Sequence, residues 1–220
     1  TWPKVSWAPG LFDLDNDTDL DLFFANGHLN SVSGDNRQSN LLFENDGGGQ
    51  FTDISERSGV LSTGKRIHRS AIFADYDDDG KVDIFVTVNG QQVEDGQGNN
   101  IFDPNQGRGV LFHNETKSDN NWIKVRLEGT KSNRDGFGAT VAIKAGSIKD
   151  KQALVSGQGY FSAHAKEIYF GLGSVKSIDK IKVSWPSGMD QTFENIPANQ
   201  TVYILEGETL HQNTSHLIIK

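Results

Sequence analysis

The chain of 220 residues contains no cysteine, one methionine and five prolines. Without cysteine there are no disulfides, no thiolate nucleophile and no zinc–thiolate site, though this leaves the compartment open. No apolar run approaches the roughly 18 residues that would span a bilayer, and no signal peptide is visible. The first residue is Thr1 rather than Met, which leaves room for a leader or a longer upstream region. Cations are the minority charge, 21 Lys and Arg against 29 Asp and Glu, for a net charge of −8. No basic patch invites nucleic acid or anionic lipid. The six histidines, at 28, 68, 113, 164, 211 and 216, show no metal-ligand spacing, so surface or strand-packing roles are expected of them. His164 and the Arg134–Asp135 pair sit beside glycine turns and are minor candidates for a pocket. Serine-hydrolase, P-loop and dinucleotide signatures are missing, and the DGGG and GFG segments read as turns because no helix follows them. No helical periodicity competes with the strand pattern.

What the chain does have is aspartate in two matched stretches, DLDNDTDLD at 13–21 and DYDDDGKVD at 75–83, 62 residues apart. They hold ten aspartates and one lysine, a net −9, so the rest of the chain is nearly neutral. Carboxylates at positions 1, 3, 5 and 9 of a nine-residue turn can converge on one cation, with the carbonyl of position 7 as a further ligand. The first loop then supplies Asp13, Asp15, Asp17 and Asp21 by side chain and Asp19 by carbonyl. The second supplies Asp75, Asp77, Asp79 and Asp83, with Lys81 giving its carbonyl. An all-oxygen set in a flexible loop selects Ca2+, and two sites are expected. An EF-hand is excluded, because its position 12 would be Phe24 or Val86 instead of a bidentate Glu. Gly80 at position 6 suits a turn with positive φ, whereas Thr18 in the first loop predicts some strain.

Each loop runs into an apolar strand closed by Asn-Gly, LDLFFANG and VDIFVTVNG. The repeat extends further: WAPGLFDLD answers HRSAIFADYD, NLLFEN answers VLFHN, and QFTDIS adds a fourth strand to the first copy. Four strands per unit of about 60 residues is the pattern of a propeller blade. The loop, the strand and the trailing LLFENDGGGQFTDISERSGV resemble FG-GAP/VCBS repeats over roughly residues 5–115, and that resemblance implies the same aspartates as calcium ligands. Thr18 is the main departure. In the second copy an insert, 91–109, separates the second and third strands, and DNNWIKVRLEG replaces the fourth.

From Trp122 short strands alternate with turns: WIKVRLEG, ATVAIKAG, KQALVSG, EIYFGLG, DKIKVSWPSG, QTFEN and TVYILEG. The period-two alternation in IKVRL, KIKVSW and TVYIL predicts one buried and one wet face. NNWIKVRLEGTKSNRDGFGA, GYFSAHAKEIYFGLG and IKVSWPSG resemble the ASPIC/UnbV domain that follows FG-GAP repeats in the cartilage acidic protein family and its bacterial relatives. The expected architecture is all-β: a partial propeller of two blades over 1–118, then a small sandwich or barrel-like domain over 119–220.

The function expected is a calcium-binding extracellular or cell-surface interaction module, with a protein or glycan partner, for adhesion or scaffolding; the periplasm is a further possible site. Two blades cannot close a ring, so further blades, from the same chain or from neighbouring copies, should cover them. A calcium-stabilised surface filament is one alternative. A calcium-scaffolded secreted enzyme, carbohydrate-active or otherwise, is the other, and it would require a concave pocket with shifted groups outside the loops. No catalytic constellation is found, since clustered carboxylates suit a metal better than the pKa-split pair of a glycosidase. Trp2, Trp7, Trp122 and Trp185 are expected to pack at cores or edges.

Overall fold

The computed structural model describes residues 4–29, 36–90, 92–94, 97, 100–102 and 107–208. Trp2, His211 and His216 lie outside the described residues, as do the side chains of most of the 91–109 insert. All regular structure among the described residues is β-strand, as the alternating apolar pattern requires. No helix there is long and apolar enough to cross a membrane.

Four antiparallel strands form the first sheet: β1 (Ser6–Phe12), β2 (Asp21–Asn26), β3 (Leu41–Asn45) and β4 (Phe51–Asp53), in that order. The second sheet repeats it with β5 (Ile67–Ala74), β6 (Asp83–Asn89) and β9 (Val110–Phe112). Its insert forms a separate hairpin, β7 (Gln92–Glu94) paired with β8 (Asn100–Phe102). Each acidic loop joins the first two strands of its sheet. The sheets bury Ala8, Phe23, Ala25 and Leu42 of the first against Ala71, Phe73, Ile84 and Val86 of the second. Phe12 stacks on Phe73 with ring centroids 4.2 Å apart, which pins β1 beside β5.

The remaining strands enclose a second core. β10 (Asn121–Glu128) lies between β13 (Glu167–Gly173) and β16 (Gln200–Leu205), antiparallel to the first and parallel to the second. The facing sheet has the order β12 (Ile148–Ala153), β11 (Thr140–Ala145), β14 (Ser177–Ser184) and β15 (Asp190–Pro197). Ile123, Val125, Phe170 and Ile204 from one sheet meet Val141, Ile143, Ile181 and Val183 from the other. These two layers make a sandwich, and no closed barrel forms among the described strands. Trp185 is buried in this core, as expected of a strand-end tryptophan.

In IKVRL the alternation places Lys124 and Arg126 on a wet face, yet Lys124 is fully buried and Arg126 half-buried. The reason is tertiary: this face of the sandwich lies on the acidic loops.

Candidate metal centre

The two loops close on the same hydrogen bonds, which identifies them as structural copies. Asp13 accepts the N–H groups of Asp17 and Thr18 at 3.0 and 2.9 Å; Asp75 accepts those of Asp79 and Gly80, both at 3.0 Å. At position 9, Asp21 accepts the N–H of Leu14 and of Asn45, and Asp83 accepts those of Tyr76 and Asn114. Asn45 and Asn114 return an amide N–H to the carbonyls of Leu20 and Val82 at 3.2 and 3.1 Å. Backbone twist repeats as well, with φ of 62° and 89° at Asn16 and Thr18 against 60° and 86° at Asp78 and Gly80. Thr18 therefore holds the left-handed conformation that glycine holds in the second loop, which is the strain expected from the sequence.

This frame turns three carboxylates inward in each copy. One oxygen from each of Asp13, Asp15 and Asp17 lies within 4.8 Å of the other two, and the same is true of Asp75, Asp77 and Asp79. Ligands about 2.4 Å from a shared Ca2+ stand no more than about 5 Å apart, so both trios fit that ion. Asp21 and Asp83 are not in these trios and use both oxygens to staple the loop ends to the following sheet, but Asp83 also groups with Asp77 and His113, one ligand atom from each lying within 4.8 Å of the others. Asp19 contributes no side chain to a trio, and Lys81 Nζ pairs with Asp79 at 3.3 Å.

The electrostatic settings of the copies differ. Burial, with Asp17 and Asp15 adding repulsion, pushes the Asp13 carboxyl up to about 7. Burial likewise raises Asp21 to about 6. Among the described residues none of the first loop's five aspartates forms an ion pair with a cationic side chain. In the second loop burial again raises Asp75, but Lys124 opposes it. Lys124 Nζ lies 2.8 Å from Asp75 Oδ2 and also bonds Asp78, while Arg126 reaches Asp78 at 3.3 Å. His113 Nδ1 is 3.0 Å from Asp83, and this hydrogen bond raises the histidine's proton affinity.

Sequence reasoning missed Lys124, Arg126 and His113. The histidine could have been suspected from VLFHN, where it precedes the asparagine that caps Asp83. Nothing in the local pattern marks the lysine. It also missed that the loops touch each other and the sandwich: Asn16 donates to the Gly80 carbonyl at 3.1 Å, Asn120 to the Asp15 carbonyl at 3.0 Å, and the Gly173 N–H to the Asn16 carbonyl at 2.9 Å.

Beside the first loop a cleft of about 1060 Å³ runs between β1 and the β11–β12 hairpin, with Leu11, Lys149, Lys151, His164 and Tyr169 on its walls. A pure binding module was expected to lack such a pocket. Two of its lining groups outside the loops have displaced proton affinities. Burial lowers the proton affinity of His164, which lies edge-on to Phe12 and Phe73. Burial raises Tyr169, whose hydroxyl accepts the Asp75 N–H and bonds Glu167. Both are tied into packing between the sandwich and the second sheet.

Tandem sheets with matched acidic loops, followed by a sandwich seated on those loops, define the class structurally. Consistent with this, residues 13–86 match the FG-GAP-like repeat family, and residues 129–211 match the ASPIC and UnbV family. The chain is similar to human (Homo sapiens) cartilage acidic protein 1, 25% identical over 197 residues, which cover 88% of this chain and 27% of that protein. The mouse (Mus musculus) protein of the same name is 26% identical over 212 residues, 93% of this chain and 30% of the relative. The chain thus spans less than a third of these curated relatives.

Proposed function

We propose that this chain is a calcium-binding extracellular interaction module, in which the ions stiffen two blades and the sandwich docked on them. The observation that carries this reading is the pair of carboxylate trios held by identical hydrogen bonds. The likeness to FG-GAP repeats and to cartilage acidic protein supports an extracellular setting, where free calcium is abundant enough to fill loops of this type. At 100 times the dissociation constant each ion stabilises the folded chain by about 2.7 kcal/mol, so two filled sites approach about 5 kcal/mol. Calcium should therefore raise the melting temperature by many degrees, and EDTA should reverse the rise. Scanning calorimetry that finds the same transition in calcium and in EDTA would refute the proposal.

The first blade supports a further part of the reading. Pro9, Leu11, Leu22, Phe24, Leu41 and Phe43 share one face of its sheet, as the strand register shows. Leu11 is 53% exposed there, whereas Phe73, its counterpart 62 residues on, is 1% exposed against the first blade. The face thus matches one that accepts another blade, supplied by the same chain or by a neighbouring copy. A protein or glycan ligand would then use surfaces outside that face. Sedimentation of this 24.2 kDa chain should reveal concentration-dependent association that Leu11→Lys suppresses. A species that stays monodisperse at high concentration speaks against the covered face.

A further inference from the structure

The sequence repeat hides one difference between the loops: the second already contains a cation. Lys124 is buried to 0% exposure, and its ammonium is directed at Asp75 Oδ2, 2.8 Å away, and at Asp78, with Glu167 at 4.0 Å. The Asp75 side chain is likewise fully buried, so this contact is shielded from water. A buried lysine is retained only where carboxylates compensate its charge. In the first loop the matching oxygen faces backbone. A Cβ on Gly171 of β13 would stand 1.9 Å from Asp13 Oδ2, so no side chain can enter there.

We propose that Lys124 is a built-in cation that keeps the sandwich docked on the second loop in the absence of divalent ions, and that it thereby weakens calcium binding at that loop relative to the first. This rests on the calcium reading of both loops. The ammonium occupies a lone pair of the position 1 carboxylate and repels an ion entering the same trio. The first loop has no such competitor, so it fills first. Arg126, bonded to Asp78 and Glu167, braces the same contact from one turn of the pleat away. The repeat therefore divides its work: one loop responds to calcium, and the other holds the two halves of the chain together at any calcium level.

The test is made on the full chain with Lys124→Met, which keeps the bulk of the side chain and removes its charge. With the first loop disabled by Asp15→Asn, calorimetric titration with CaCl2 should show Lys124→Met binding at least tenfold more tightly at the second loop. In EDTA the same variant should expose the 113–120 connection to protease far faster than the parent, and calcium should restore protection. An unchanged or weaker affinity, or equal protease sensitivity in EDTA, would overturn the proposal. Should Lys124→Met fail to fold, Asp78→Ala replaces it in the protease arm. It removes the second partner of the ammonium without touching a trio, so its effect should appear in EDTA and calcium alike, whereas that of Asp79→Ala should need calcium. Equal protection of Asp78→Ala and the parent in EDTA would likewise overturn the proposal. A parent chain that binds no calcium would remove the calcium reading and the claimed weakening, while the EDTA arm would still decide the docking role of Lys124.

Discussion

Replacing Gly80 by alanine should destabilise the chain by about 2–5 kcal/mol, from two causes. The first is the backbone: φ at Gly80 is 86°, where an L side chain costs about 1–2 kcal/mol. Thr18 shows that the fold can absorb that cost, since it holds φ of 89° at the same position of the first loop. The second cause is contact. A Cβ on Gly80 would stand 1.8 Å from the indole of Trp122, so the ring that covers the loop must move or the loop must open. The double variant Gly80→Ala with Trp122→Ala should therefore lose less than the sum of its parts. Chemical denaturation of the four members of this cycle measures the coupling. Strict additivity would show that the indole does not set the requirement.

Glu206→Gln should be the most damaging single change in the sandwich. The carboxylate is buried at the end of β16 and accepts the successive N–H groups of Thr130, Lys131 and Ser132 at 2.7–2.8 Å, as well as the hydroxyls of Ser132 and Ser187. Burial alone would raise its proton affinity, but the N–H of Ser132, the Ser187 hydroxyl and the N–H of Lys131 outweigh it. They hold the carboxyl well below the usual carboxylate range. A group depressed in the folded state contributes stability that is complete above its unfolded value of about 4.3 and declines as pH falls below it. The parent sandwich should thus lose stability steadily below about pH 4, and Glu206→Gln should remove that part of the slope while melting earlier at pH 7. Melting curves between pH 3 and 7 with parallel slopes for both proteins would exclude this role. An amide can accept some of the five bonds, but its own NH2 then faces donors, which accounts for the loss at neutral pH.

Much of the candidate site's geometry was legible because its information is local. The spacing of aspartates brings one oxygen from each of positions 1, 3 and 5 together, and the turn itself sets the backbone twist, since Thr18 and Gly80 share a positive φ at position 6. Asn45 and Asn114 recur at the same place after their loops, and the structure explains the recurrence, since each caps the position 9 carboxylate of its own repeat. The strands of the sandwich were largely legible, for every predicted segment from WIKVRLEG to TVYILEG overlaps one, although KQALVSG catches only the last three residues of β12, which begins at Ile148. Lys124 was misread because alternation reports which residues share a face and is silent on what that face meets.

The sequence by itself determined the all-β class, the two acidic loops, the division into repeat and sandwich patterns, and the positive φ at position 6. Each of these depends on residues within a turn or a strand of one another, where side-chain period and backbone sterics act directly. Only the tertiary structure decided that the loops lie between the blades and the sandwich, that Trp122 covers Gly80, that His113 meets Asp83, and that a buried lysine sits in one loop and backbone in the other. Those contacts join residues some 30 to 158 positions apart in sequence. They arise when two separately patterned cores bury their remaining surface together, which no local periodicity encodes.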